Sequence, residues 1–180
     1  MELRLAREED REIILKIYDD GSKKLKSLGL DQWQGHDKPN LDSFKKLIEN
    51  KNIFVLEDDG KVVSTVIIYD YDIDYENNLD GTWQSPSPYV ALHRIGTLES
   101  ERKKGYGRKI IEMSEFYARE NNFKSVRIDT HRGNKDMQRL LSSLSYKYVG
   151  IVYLGGKNER LAFEKVLWGQ KCLIRMTKDL

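Results

Sequence analysis

Along the chain, short runs of alternating polarity are separated by stretches of helical periodicity. Residues 2 to 6 (Glu-Leu-Arg-Leu-Ala) alternate polar and apolar, as a half-buried strand does. Ile14, Tyr18, Leu25 and Leu28 fall close to one stripe, with Ile13 and Ile17 beside it. That spacing predicts a helix from about Glu8 to Leu28, bent or divided at Gly21. Gly29, Gly35 and Pro39 then break the pattern around Trp33, and a tryptophan in such a loop is either pinned to the core or lining a pocket. Asn40 suits the N-cap of a short helix over 41–49, with Phe44, Leu47 and Ile48 on one side. Two β-branched-rich runs, 53–56 and 62–69, flank the hairpin signal Asp58-Asp59-Gly60.

Residues 70 to 88 read as a long surface loop or ragged hairpin, acidic at Asp70, Asp72, Asp74, Glu76 and Asp80 and aromatic at Tyr71, Tyr75 and Trp83. A strand follows over 89–97, then a charged turn and a helix to about Asn121. Tyr106, Ile110, Met113 and Tyr117 make the buried stripe of that helix. Val126, Ile128 and Thr130 share one face of a strand over 125–130. Its separation from the preceding strand by a helix makes a βαβ unit, so those two strands should be parallel neighbours. Asn134 can cap a helix that turns Met137, Leu140, Leu141 and Leu144 inward. Strands over 147–154 and 160–167 flank the turn at Gly155-Gly156. The order is β-α-α-β-β-β-α-β-α-β-β, one α/β domain over 1–167 with a tail over 168–180.

Composition narrows the class. At 180 residues, the chain has length for one real core. Its 33% charged and 39% hydrophobic residues exclude a disordered chain and predict a soluble one. A net charge of +2 is too small to argue for nucleic acid, so the basic character is local. The N-terminus reads as a strand rather than a leader, and no apolar run has transmembrane length. The lone Cys172 excludes an intramolecular disulfide and points to a reducing cytosol.

The local basic character sits at 95–111, where a strand leads into a glycine-bearing basic turn and a helix N-terminus. That order makes an anion site, because the turn's N–H groups have no helical acceptor. Arg102, Lys103, Lys104 and Arg108 add positive charge. No nucleotide P-loop pattern is present. A dinucleotide fingerprint fails, because Ile110 stands where its third glycine belongs. Lys104-Gly105-Tyr106-Gly107 matches the start of an RNA-binding signature, but Arg108, Lys109 and Ile111 break it. Tyr106 should be buried on a helix, whereas that signature displays its aromatics on a strand. RNA binding is therefore the weakest reading.

The remaining match is [QR]-x-x-G-x-[GA], here Arg102-Lys103-Lys104-Gly105-Tyr106-Gly107. With that element order, with Leu92-His93-Arg94-Ile95, Asp129-Thr130-His131 and Leu144-Ser145-Tyr146, and with Asp31-Gln32-Trp33-Gln34 as in a bacterial subgroup, the chain over about 2–167 resembles the GNAT family of acetyl-CoA-dependent N-acetyltransferases. The resemblance implies a GNAT fold, a mixed sheet with splayed parallel strands and flanking helices. It implies acetyl-CoA as cosubstrate, with no metal. Its pyrophosphate would be held by the turn Arg102, Lys103, Lys104, Gly105, Tyr106, Gly107 and Arg108, and its pantetheine arm by the backbones of Ile95, Gly96 and Thr97 and by Asn134. Gly96 is compatible with the bulge that splays the strand.

An amine attacking a thioester must lose a proton, and the developing oxyanion needs an N–H donor such as the splayed strand offers. His93, on the strand face of Ala91 and Ile95, is the first candidate base. A structural histidine is the competing reading, and Glu99 and His131 are lesser candidates. Trp33, Tyr71, Trp83 and His131 are the expected acceptor pocket. The acidic and aromatic segment 70–83 leans towards a small cationic amine. The family's usual tyrosine donor to the thiolate is replaced by Leu141, while Tyr146 reads as packing. The main alternative is a non-catalytic acyl-CoA-binding module. The partners expected are a small-molecule amine, no nucleic acid and no membrane, with a homodimer left open and a cytoplasmic location.

Overall fold

The structure, a computed structural model, describes residues 1–35 and 40–167. The tail expected over 168–180, with Cys172, lies outside the described residues. Eight strands form one sheet in the order β1-β2-β3-β5-β6-β8-β7-β4. They are β1 (Glu2–Leu5), β2 (Ile53–Asp58), β3 (Lys61–Tyr69), β4 (Leu79–Gly81), β5 (Tyr89–Thr97), β6 (Ser125–Thr130), β7 (Lys147–Leu154) and β8 (Asn158–Val166). The helices are α1 (Arg11–Ser27), α2 (Leu41–Glu49), α3 (Ile73–Asn77), α4 (Tyr106–Glu120) and α5 (Lys135–Ser143). Among the described residues only β5 and β6 pair in parallel, because α4 carries the chain back across the sheet between them. No helix among the described residues is long and apolar enough to cross a membrane.

Two helical layers bury the two faces. On one, Ile110, Ile111 and Ala118 of α4 and Leu141 of α5 pack on Val90, Leu92, Val126 and Ile128. On the other, Ile14, Ile17 and Tyr18 of α1 and Phe44 and Leu47 of α2 pack on Ile53, Val55 and Ile67. α1 runs unbroken through Gly21, and α2 starts where its cap predicts. The Asn40 side chain accepts from the Ser43 N–H, and the Ser43 hydroxyl accepts from the Asn40 N–H, each at 3.0 Å.

The segment read as a surface loop is built differently. It folds into α3 and β4, and β4 pairs with β7, with Leu79 opposite Val152 and Gly81 opposite Gly150. Tyr75 of α3 is fully buried. A three-residue strand has too little alternation to be seen, and its partner lies some seventy residues downstream. The two strands touch closely at the glycines. A Cβ on Gly150, at φ +147°, would lie 2.3 Å from the Asp80 carbonyl oxygen and 2.8 Å from the Gly81 Cα. Gly150→Ala should therefore cost about 2 kcal/mol. In a domain of this size that lowers Tm by roughly 5 °C, which a thermal melt reads directly.

Candidate active site

The parallel pair opens into a cleft. β5 and β6 are in register from Tyr89 opposite Ser125 to Leu92 opposite Ile128, and there the pairing stops. β5 runs on to Thr97 with only β3 beside it. The β3–β5 register shifts between Thr65 and Ile67, and Arg94 on the opposing strand adopts φ +49°. The bulge therefore centres on Arg94 and not on Gly96. Glycine at 96 answers a different need: a Cβ there would lie 2.7 Å from Ile17 Cγ2 on α1. The bulge also breaks the alternation expected along β5. His93 lies opposite Ile67 on the α1 face, whereas Ile95 packs against the α4 and α5 cluster. The Leu98 N–H donates to the Val63 carbonyl at 3.0 Å. By strand alternation, the backbone groups of Thr97 point to the opposite, open edge.

A cavity of about 1360 Å³ lies at this opening. One end is the turn before α4. Lys103 (φ +64°) and Gly105 (φ +89°) are left-handed, which glycine adopts without strain. Gly105 is the N-cap of a fifteen-residue helix with no side-chain cap and no acidic residue in its first turn. The first helical bond there runs from Lys109 to the Gly105 carbonyl, so the N–H groups of Tyr106, Gly107 and Arg108 have no helical acceptor. Arg102, Lys103, Gly105, Tyr106 and Gly107 line the cavity, as do Ile95, Gly96, Thr97 and Asn134. Asn134 also caps α5, its Oδ1 accepting from the Met137 N–H at 3.3 Å.

Of the four basic residues expected there, Arg102, Lys104 and Arg108 each have a partner. Lys104 pairs with Glu101 at 2.8 Å, and Lys61 reaches the same carboxylate at 2.5 Å. Those two cations hold the Glu101 carboxyl down at about 2. Arg108 donates to the Ser143 hydroxyl at 2.7 Å. Tyr106 is half-buried rather than buried, because its hydroxyl reaches out to donate to Asp58 at 2.7 Å.

At the other end stands His93, its side chain 18% exposed. The N-cap of α3 brings Asp72 to it. Asp72 Oδ1 accepts from the N–H groups of Asp74 (2.9 Å) and Tyr75 (3.1 Å). Its Oδ2 lies 2.8 Å from His93 Nε2, an ion contact without full hydrogen-bond alignment. Asp129, at the end of β6, lies 3.6 Å from His93 Nδ1 and accepts from the Tyr75 hydroxyl at 2.7 Å. The rings of Tyr69 and Tyr75 stand 5.6 and 5.4 Å from the imidazole. Burial works against an imidazolium here, but contact with Asp72 and the charges of Asp129 and Asp72 outweigh it, so the His93 pKa is raised. For Asp72, burial alone would favour the protonated carboxyl. His93 and the two N–H donors outweigh that and hold its pKa below the ordinary value.

The structure brings only some of the predicted site residues together. Trp33 lines the cavity and is also anchored, edge-on to Tyr18 at 5.6 Å, with its carbonyl accepting from Ser22 at 2.9 Å. Tyr71 is exposed and outside the cavity. Trp83 is half-buried and outside the cavity, its indole donating to the Tyr75 carbonyl at 2.8 Å and its ring covered by the Arg127 guanidinium at 4.3 Å. His131 braces its own turn, Nδ1 accepting from the Gly133 N–H at 2.9 Å. Glu99 faces outward and pairs with Arg102 at 3.5 Å. Leu141 and Tyr146 are both in the core cluster under α4. The residues given no site role of their own by the sequence are Asp72, Tyr75, Arg94, Asp129 and Arg160, although all but Arg160 stood in stretches it drew on. Asp129 carried a signal only as part of the Asp129-Thr130-His131 stretch at the carboxyl end of β6. Asp72 carried none that set it apart from its acidic neighbours.

A family model described as "Acetyltransferase (GNAT) family" matches residues 15–146. Among solved structures, a GNAT-family acetyltransferase from Streptococcus agalactiae is similar at 26% identity and TM-score 0.81, covering 92% of this chain and 94% of that one. A GNAT-family acetyltransferase from Listeria monocytogenes shares the fold at 20% identity and TM-score 0.70, covering 92% and 94%. So does yncA from Salmonella typhimurium, solved with its cofactor acetyl-CoA, at 20% identity and TM-score 0.61, covering 93% and 94%. No curated protein matches the chain.

Proposed function

The chain belongs to the GNAT acetyltransferase family, and on that premise we propose that it moves the acetyl group of acetyl-CoA onto a primary amine. The observation that carries this reading is one cavity with two unlike ends. An uncapped helix N-terminus lies at one, and a histidine held between two carboxylates lies at the other. Acetyl-CoA would supply the acetyl group as an activated thioester.

The chain's own residues fit that group. The Tyr106, Gly107 and Arg108 N–H groups and the positive end of α4 suit a pyrophosphate. Arg102 and Lys103 line the same end. The open edge at Thr97 presents backbone groups to an extended amide chain and an N–H to a carbonyl oxygen that gains charge. At the acceptor end, Asp72 holds the Nε2 side of His93. That leaves Nδ1, too far from Asp129 for a hydrogen bond, to take a proton from an ammonium beside it. Asp129 offers such an ammonium a counter-charge. The same imidazole, once protonated, can return the proton towards the thiolate, since Leu141 has no hydroxyl to do so.

The test has two stages. Acetyl-CoA should raise the melting temperature by several degrees, and an RNA oligomer should not. A panel of primary amines should then release free CoA thiol. No thermal shift with acetyl-CoA would overturn the reading, and a shift without thiol release from any amine would mark a binding module.

A further inference from the structure

Among the described residues, two arginines that line the cavity have no counter-ion. Arg94 and Arg160 both line the cavity, and neither makes an ion pair among the described residues. Arg160 is 8% exposed. Its Nη1 donates to the Glu159 carbonyl at 2.8 Å, and its Nε has no partner there. A buried guanidinium with an unsatisfied donor is costly unless something outside the fold completes it.

The register places Arg160 on the sheet face of the His93 cluster, and the bulge puts Arg94 at the same cavity. In β8, Ala162 lies opposite Asp129, and Arg160 is two residues from Ala162, so it shares that face. Asp129 contacts His93 on the same face. Arg94 follows His93 directly, and in a regular strand the two would face opposite ways. The left-handed backbone of the bulge makes Arg94 the extra residue, and both side chains meet the cavity. Its charge is felt there, since it opposes the positive form of His93 and partly offsets the burial that raises Tyr69.

The acceptor end therefore offers two anionic groups, Asp72 and Asp129, and two cations without counter-ions. A simple cationic amine would satisfy the first pair and leave the second bare. We propose that the acceptor is an amino acid, its amine beside His93 and Asp129 and its carboxylate held by Arg160 and Arg94. This rests on the acetyl-transfer reading above, and it replaces a plain cationic amine with a zwitterion.

The test compares each of the common amino acids with its own carboxamide, which keeps the amine and side chain and removes only the negative charge. Two readouts are taken: CoA-thiol release, and the thermal shift of the protein saturated with CoA. At least one amino acid should be preferred over its amide by about 10- to 100-fold in kcat/KM, the range expected of a charge-assisted contact. The same amino acid should give the larger thermal shift. Arg160→Met and, separately, Arg94→Gln should bring that preference towards unity, with Arg160→Lys keeping part of it. If no amine turns over, the acetyl-transfer reading fails, and the thermal shift still decides the carboxylate. Amides that equal or surpass their amino acids in both readouts overturn the inference, and the wild-type comparison stands even if a variant does not fold.

Discussion

His93→Ala should lower kcat/KM by about 10²- to 10⁴-fold, the usual contribution of a positioned acid or base, while the thermal shift with acetyl-CoA persists. The side chain lies at the acceptor end and touches neither the turn before α4 nor the open edge at Thr97, so donor binding should be spared. Glu99→Ala should retain turnover, because Glu99 points outward to Arg102. The pH profile distinguishes a base from a merely structural histidine. The His93 pKa is raised above its ordinary 6.5, so the imidazolium, which cannot take a proton, dominates below a midpoint lying above that value. Activity should rise with pH through that midpoint. Contact with Asp72 is the largest contribution raising it. Asp72→Asn should therefore move the rising limb to lower pH with the same acceptor. A limb that stays in place in Asp72→Asn, or turnover that survives His93→Ala, would remove His93 from the chemistry.

The turn before α4, proposed above as the donor end, was legible as a structure because its signals are local. A glycine-bearing basic turn between a strand and an amphipathic helix is contiguous, and the resulting helix has no side-chain cap. α2 was equally legible, since Asn40, Ser43 and the Phe44–Leu47–Ile48 side lie within nine residues. The acceptor end was not, for two physical reasons. Asp72, His93 and Asp129 come from three separate elements, and only the pairing of β5 with β6 and the docking of α3 bring them together. In addition, a single left-handed residue at Arg94 reverses the alternation after His93. It turns Ile95 to the opposite layer and leaves Arg94 in the cavity. No property of an arginine in a strand-like run announces that. The same holds for Trp83, whose aromatic, acidic surroundings suggested a pocket. Its ring is instead taken up by a buried arginine, Arg127, ion-paired at 3.3 Å to Glu164.

Gly107→Asp should separate the fold from the donor site. Gly107 is the second residue of α4, and a Cβ there would meet only Leu140 Cδ2 and Thr97 Oγ1, each at 3.9 Å, an ordinary contact. The backbone has no objection to a side chain at this position. A carboxylate in the first turn of a helix with no acidic residue there is favourable by about 0.3–1 kcal/mol. Removing a glycine from the helix adds several tenths of a kcal/mol more. The free protein should therefore melt roughly 2–4 °C higher. The same carboxylate would occupy the mouth of the cradle and repel a pyrophosphate from the N–H groups beside it. The thermal shift with acetyl-CoA should vanish, and turnover with it. A protein that gains stability yet loses the response to its donor has lost charge complementarity, not structure. If Gly107→Asp still responds to acetyl-CoA as the wild type does, the pyrophosphate does not sit on the N-terminus of α4.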